Sequence, residues 1–179
     1  QDARVRQAIA HAIDRQALLE RVLFGFGEVG SPGFLPPANP FHNPDLPDYA
    51  RDIDRAKALL AEAGYDGTPI KLAYSTDWIM ASPRVVEIIQ DGLSAAGIPI
   101  EQVVMDQATI DTAGAQGDYE MMLVGYGGLG GDPDLLRRTF ASASQMSGFA
   151  RARGYSNPDF DALYDELVAL EKERGVVLP

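Results

Sequence analysis

Apolar residues at the start of the chain recur at the spacing of an amphipathic helix. The first stripe consists of Val5, Ala8, Ile9, Ala12 and Ile13. Asp14 follows it and is a typical N-cap residue for a second helix. The second stripe consists of Leu18, Leu19, Val22 and Leu23. The pattern therefore predicts two short helices in succession.

The next segment, residues 24–49, is rich in glycine and proline and predicts a long loop. Proline cannot continue a helix or a central strand. Loops of this length inside compact domains usually serve a function or wrap another part of the protein. Helical periodicity returns after Asp52, with Ile53 and Leu60 on one stripe, and Gly64 is the expected C-terminal stop.

Strand patterns alternate with helix patterns through the middle of the chain. The sequence predicts strands at residues 70–74, 98–104 and 121–125, the last of them apolar and buried. It predicts helices at residues 82–96, ended by a glycine, and around residues 110–115. Because parallel strands need a crossover connection, helices between strands imply parallel or mixed pairing. The predicted fold class is α/β, a mixed sheet flanked by helices.

Two prolines predict the starts of two further helices. Pro133 follows a glycine-rich turn, and Pro158 precedes the last helical pattern. The apolar face of that last helix consists of Phe160, Leu163, Leu167 and Leu170.

The 179 residues suit one domain or one large lobe, and their charge excludes several kinds of partner. With 26 acidic and 15 basic residues, the net charge of −11 leaves no basic surface for nucleic acid or anionic lipid. The chain has no cysteine and no apolar run of the roughly 18 to 20 residues that a membrane span needs. It begins at Gln1 without methionine, so we expect a processed or excised piece of a longer protein.

The glycine pattern at residues 25–30 matches the dinucleotide fingerprint in its letters but not in its context. That motif needs a strand before it and a helix N-terminus after it, to receive the pyrophosphate. Here a predicted helix precedes the glycines and a proline-rich loop follows them. A plain loop is the better interpretation, and no cofactor is predicted.

The residues of common catalytic and metal sites are missing. The chain has only His11 and His42, no cysteine and no G-x-S-x-G motif, so the usual triads and zinc sites cannot be assembled. The aspartates between positions 45 and 54 lack the glycine and the terminal glutamate of a calcium hand. We predict no enzyme and no metal site; the alternative is a hydrolase in which residues 24–49 form a lid over acid/base carboxylates.

Polar and aromatic residues follow two of the predicted strands. Open α/β sheets bind ligands at the carboxyl ends of their strands. There the sequence places Ser75, Asp77 and Trp78 after the first strand, and Tyr126, Gly127, Gly128 and Leu129 after the third. If both strands run the same way, Trp78 and Tyr126 form a stacking wall for a ligand. The alternatives are that Trp78 packs under the next helix and that the glycines form only a tight structural turn.

Four segments, taken together, resemble the signatures of one family in the expected order. They are residues 5–15, 52–65, 131–134 and 154–161. They resemble the extracellular solute-binding proteins of ABC importers, in the class that binds dipeptides, oligopeptides and nickel. The resemblance covers nearly the whole chain and implies a lobe of the type II periplasmic-binding-protein kind. Residues 1–179 would be most of the carboxy-terminal ligand-binding lobe of a larger two-lobe protein.

The resemblance also implies a function and partners. The whole protein is expected to capture a peptide or peptide-like solute between its lobes and to deliver it to an ABC permease in the membrane. It is expected to be a monomer in the periplasm or outside the cell, with a lipid anchor as one option. No nucleic acid, metal or cofactor is implied.

Two departures from the family pattern concern the ligand. Members that bind dipeptides pair an aspartate, two residues before the Gly-Asp-Pro-Asp run, with the ligand's ammonium, and the resemblance matches Leu129 to that position. They also hold the ligand's carboxylate with an arginine after the first strand, whereas residues 76–80 include no basic residue. An unpaired buried ammonium costs about 2–5 kcal/mol, so a free dipeptide is disfavoured. A longer or blocked peptide held through its backbone, and a neutral solute such as an oligosaccharide stacked on Trp78 and Tyr126, both remain open.

Overall fold

A computed structural model describes residues 2–30, 35–77, 82–125, 136, 140–142 and 155–174 of the chain. The helices of this part are Ala3–Ala12 (α1), Arg15–Arg21 (α2), Ile53–Ala63 (α3), Pro83–Ala96 (α4), Gln107–Gln116 (α5) and Pro158–Glu173 (α6). The strands are Ile70–Tyr74 (β1), Ile100–Val104 (β2) and Met121–Met122 (β3). The helix predicted at Pro133 lies outside the described residues.

The ends of the helices follow from local hydrogen bonding. The side chain of Asp14 accepts a hydrogen bond from Ala17 N, and that of Asp52 accepts one from Arg55 N, so each aspartate satisfies a free amide of the first turn. At the other end of α3, Gly64 has φ +67°, and at the end of α4, Gly97 has φ +90°. Glycine adopts these left-handed conformations without strain. These predicted helix boundaries are confirmed.

The three strands form one parallel sheet in the order β2-β1-β3. Ile70 pairs with Ile100, and Leu72 pairs with Met121. The α/β fold class is confirmed, and every strand pairing among the described residues is parallel. Because all three strands point the same way, their carboxyl ends meet at one edge of the sheet.

Helices α1, α3 and α4 pack together with the central strand to form the core. The largest side chains with almost no exposed surface are Leu72, Val86, Leu93, Ile98 and Ile110. Val86 and Leu93 belong to the buried stripe of α4, which packs in one cluster with Ala8 and Ala12 of α1. The predicted stripes of α1 and α3 therefore face this core.

The third strand is shorter and less buried than the sequence predicts. A buried strand was expected at residues 121–125, but only Met121 and Met122 pair with β1. Residues 121–124 are half-buried and Gly125 is exposed. The reason is the position of β3 at the edge of the described sheet, where one neighbour covers it instead of two.

Most of the apolar face predicted for the last helix is exposed. Leu163, Leu167 and Leu170 are exposed. Phe160 is the member of the predicted face that is half-buried, and among the described side chains of α6 the others that are half-buried are Asp161, Tyr164 and Val168. The carboxylate of Asp161, on the half-buried side, accepts a hydrogen bond from Ser142 N at 2.8 Å. The start of the helix at Pro158 is as predicted, with Asn157 as its N-cap.

The loop at residues 24–49 is confirmed over its described part, and its two ends are fastened to the first helices. The guanidinium of Arg15 donates hydrogen bonds to the carbonyl oxygens of Gly30 and Tyr49. His11 Nδ1 donates to Ala50 O at 2.8 Å, and its ring contacts Tyr49 edge to face. His11 is thus a packing residue. None of the described helices is long and apolar enough to cross a membrane.

Candidate functional site

The carboxyl ends of the strands come together through backbone hydrogen bonds that continue past the strands themselves. Met105 N, just after β2, donates to Tyr74 O at 3.0 Å. Leu123 N, just after β3, donates to Ala73 O at 3.0 Å. The residues that directly follow the three strands therefore lie side by side, with those that follow β1 in the centre. This edge is where a parallel sheet presents groups to a ligand.

Ser75 and Asp77, two of the predicted site residues, directly follow the central strand β1. Ser75 is only 3% exposed, whereas Asp77 is exposed. Ser75 Oγ accepts a hydrogen bond from Asp77 N at 3.2 Å, which fixes the turn that presents the aspartate. Among the described residues no acceptor receives the Ser75 hydroxyl proton. The end of β1 thus carries one buried hydroxyl and one solvent-facing carboxylate.

Asp106 adds a second carboxylate after the neighbouring strand β2, and the sequence analysis did not single it out. It is the N-cap of α5, and its side chain accepts hydrogen bonds from the Thr109 hydroxyl at 2.7 Å and from Thr109 N at 2.9 Å. These bonds, the hydroxyl first, hold the pKa of the Asp106 carboxyl below its ordinary value of 3.8. The signal was available as an aspartate three residues before a threonine at the start of a helical pattern.

A chain of side-chain hydrogen bonds joins the end of β1 to its neighbours. Tyr74 is buried, and its hydroxyl donates to Gln102 Oε1 at 2.9 Å. Gln102 Nε2 in turn donates to Gln90 Oε1 at 2.6 Å. The end of β1 is therefore tied to both β2 and α4, so that Ser75 and Asp77 project from a rigid base.

The other predicted site residues are Trp78, Tyr126, Gly127, Gly128 and Leu129, and they lie outside the described residues. The stacking wall of Trp78 and Tyr126 stays a prediction. Of the predicted set, the structure brings Ser75 and Asp77 together at the expected edge.

The glycine pattern at residues 25–30 follows a helix, as expected for a plain loop. Gly25 and Gly27 have φ values of +81° and +119°, so the glycines here serve a tight turn after α2. His42 Nδ1 donates to Leu35 O at 2.9 Å inside the same long loop. In the part of the chain that the structure describes, no group of three or more His, Cys, Asp and Glu side chains is placed to hold a metal ion.

Comparison with known proteins places these features in a family. The family model described as bacterial extracellular solute-binding proteins, family 5, middle part, matches residues 1–148. Heme-binding protein A of Haemophilus influenzae is 31% identical over 94% of this chain and 31% of its own length. The dipeptide-binding protein of Escherichia coli is 28% identical over 99% of this chain and 35% of its own length.

A solved structure gives the same result for the fold. The periplasmic binding protein DppA of Helicobacter pylori, in complex with the peptide STSA, superposes with a TM-score of 0.72 at 25% identity, over 92% of this chain and 32% of that one. The chain thus spans about a third of the length of the relatives it matches. From the match over residues 1–148, the chain belongs to the bacterial extracellular solute-binding proteins of family 5.

Proposed function

We propose that residues 1–179 are most of the carboxy-terminal ligand-binding lobe of a two-lobe protein, and that this protein is the peptide-binding component of an ABC transporter. The observation that carries the proposal is the alignment of 99% of the chain with a dipeptide-binding protein. The placement of Ser75 and Asp77 at the carboxyl edge of a parallel sheet supports it. The full-length protein is the gene product that contains these residues.

This lobe supplies its share of ligand contacts from the ends of its strands. The contact residues are Ser75, Asp77, Trp78, Tyr126, Gly127, Gly128 and Leu129. The exposed carboxylate of Asp77 accepts hydrogen bonds from peptide N–H groups, and the aromatic rings stack on the ligand. The second lobe closes on the other side, excludes water and strengthens these hydrogen bonds. The bound peptide leaves unchanged, because the protein delivers it and does not cleave it.

The partners and the location follow from the same function. The loaded protein docks on an ABC permease in the membrane and releases the peptide there. It works as a monomer in the periplasm or outside the cell, with a lipid anchor as one option. These statements concern the full-length protein.

A second candidate ligand is a haem. The observation that favours it is the 31% identity to heme-binding protein A over 94% of the chain. A haem also suits a site that lacks the aspartate and the arginine for a peptide's two ends, because haem binding does not depend on a free ammonium. A neutral oligosaccharide would fit the stacking wall of Trp78 and Tyr126 for the same reason.

Native mass spectrometry of the full-length protein, purified from cells, separates these ligands. A series of released peptide masses supports the proposal. A haem mass with its visible absorbance assigns the second candidate, and a hexose series assigns the oligosaccharide. Either of the last two results overturns peptide binding as the function.

Titration then tests the role of Asp77. After removal of bound ligand, trialanine is titrated into the full-length protein, its Asp77→Asn variant and the control Asp165→Asn, which changes an exposed carboxylate of α6. We expect Asp77→Asn to weaken binding about tenfold, the value of one charge-assisted hydrogen bond. Equal affinity of the two variants would remove Asp77 from the site.

A further inference from the structure

An apolar groove of about 610 Å³ lies between α1, the start of β1 and β3. Its apolar lining includes Val5 and Ile9 of α1, Ile70 of β1 and Met121 of β3, and each of these side chains is half-buried. All four pack against the hydrophobic core. A chain segment that filled the groove would therefore extend that core.

The same place presents backbone groups that can pair with a strand. In the described part of the chain, β3 has a strand on one side only. Leu123 N donates to Ala73 O at 3.0 Å, so Leu123 is bonded toward β1. Because the amides of a strand alternate in direction, the N–H and C=O groups of Met122 face the other side. Such an edge is a template for a further strand, which would gain both backbone hydrogen bonds and apolar burial.

The chain enters α1 at this groove. Asp2 is the N-cap of α1 and lines the groove, and its backbone is extended, with φ −64° and ψ +133°. The segment that leads into Asp2 is therefore delivered to the groove in an extended conformation. The family model that matches residues 1–148 describes the middle part of its proteins, and this chain spans about a third of its relatives.

We propose that the segment that precedes Asp2 in the full-length protein lies in the groove as a β-strand and pairs with the edge of β3 that faces away from β1. The inference rests on the proposed function in one respect, that residues 1–179 are a lobe of a larger protein, and adds where the rest of the chain joins this lobe. The strand buries the apolar lining of the groove and satisfies the outward backbone groups of Met122.

The direction of the added strand follows from the place of Asp2. Asp2 lines the same groove as Ile70 and Met121, which are the first residues of β1 and β3. A strand along β3 can end beside these residues only if it runs from the carboxyl edge of the sheet to the amino edge. It is therefore antiparallel to β3, and it begins at the edge that carries Ser75 and Asp77.

Disulfide scanning in the full-length protein tests the position and the direction of the strand together. The chain has no cysteine of its own. One cysteine is introduced by Met121→Cys or Leu123→Cys, and the second is moved through about twelve residues that precede residue 1, which covers the usual length of a strand. Residues bonded toward β1 form closely spaced pairs with an antiparallel strand on the other side, at a Cα distance that a disulfide can span.

We expect Met121→Cys to cross-link most strongly with one position, and Leu123→Cys with a position two residues earlier in the chain. A partner two residues later would mean a parallel strand and would overturn the proposed direction. The control is Val104→Cys, at a 58% exposed residue of β2 on the opposite edge of the sheet, which should form no cross-link with the segment.

Hydrogen exchange of the full-length protein without substitutions gives a second measurement. With the strand in place, the Met122 amide should exchange within about tenfold of the rate of the Leu123 amide. A Met122 amide that exchanges like that of an unstructured peptide overturns the proposal, as do disulfides that form only between two copies of the protein and double its mass. None of these outcomes changes the ligand masses released in native mass spectrometry, which test the proposed function separately.

Discussion

A Cβ atom built on Gly92 would lie 2.3 Å from the backbone carbonyl oxygen of Ala12, so α4 and α1 touch at a point where only glycine fits. The next nearest atoms are also backbone, with the carbonyl carbon of Ala12 at 3.2 Å. Backbone cannot swing aside as a flexible side chain can. The close packing of these two helices therefore depends on the missing side chain of Gly92.

We predict that Gly92→Ala lowers the free energy of unfolding by about 1–3 kcal/mol, the usual cost of forcing an atom into a filled core. The loss comes in spite of the higher helix propensity of alanine. Thermal and urea unfolding of the full-length protein, followed by circular dichroism, measure it. The control is Ser94→Ala, an exposed position in the same helix, where we expect a change within about 0.5 kcal/mol. Similar stability of the two variants would show that the helices do not touch there.

Sequence alone predicted those features that neighbouring residues decide. Asp14 and Asp52 were recognised as N-caps because the cap is a bond between residues two or three positions apart. Gly64 was recognised because a left-handed conformation favours glycine. The edge with Ser75 and Asp77 followed from strand direction, since parallel strands end on one side.

Features that depend on contacts between distant segments were missed. The stripe with Leu163 and Leu167 was expected to be the apolar face of α6, but a periodic pattern does not say what covers a face, and both side chains are exposed. The half-buried side carries Asp161, whose carboxylate accepts a hydrogen bond from Ser142 N, a contact that the periodic pattern does not reveal. Gly92 gave only the signal of a glycine inside a helix, which does not identify Ala12 as its neighbour.

Arg15 joins the two ends of the long loop, and its removal should loosen the loop. It donates to Gly30 O at 3.3 Å and to Tyr49 O, and it forms an ion pair with Asp48 at 3.4 Å. We predict that Arg15→Gln speeds amide hydrogen exchange in residues 35–49 about tenfold, since the lost hydrogen bonds are worth about 1–2 kcal/mol together.

Hydrogen exchange with mass spectrometry on the full-length protein measures the effect, with Lys57→Gln on the exposed side of α3 as the control. Exchange in α3 and α4 should stay as it is in both variants. If Arg15→Gln and Lys57→Gln leave the loop equally protected, other contacts hold the loop ends.

The pKa of Asp106 should respond to the Thr109 hydroxyl. We predict that the Asp106 carboxyl titrates below its ordinary value of 3.8, and that Thr109→Val moves its pKa upward toward that value. Because the folded pKa is lowered, the cap's contribution to stability is complete above 3.8 and is lost as the pH falls through the folded pKa. Carbon-13 NMR of the labelled aspartates follows the titration.

Thr112→Val is the matched control for Asp106, because the Thr112 hydroxyl donates to Ala108 O at 2.8 Å in the same helix and does not touch the cap. It should leave the Asp106 midpoint where it is. An unchanged midpoint in Thr109→Val would mean that the hydroxyl is not the cause of the lowered pKa.

Leu129→Asp should supply a carboxylate that pairs with the terminal ammonium of a peptide ligand, as the resemblance implies for this position. Leu129 belongs to the glycine-rich segment 125–131 of the sequence, and the resemblance matches it to the aspartate with which dipeptide-binding members hold the ligand's ammonium. The variant should therefore bind Ala-Ala at least about tenfold more tightly than the wild type, as a newly paired ammonium gains more than 1.4 kcal/mol. N-acetyl-Ala-Ala has no ammonium, so its affinity should not rise.

Isothermal titration of both dipeptides into the full-length protein measures the difference. Leu46→Asp, at an exposed leucine of the long loop, controls for the added charge. If Leu129→Asp improves both dipeptides alike, or neither, the aspartate does not meet the ammonium and position 129 is not the site of that clamp.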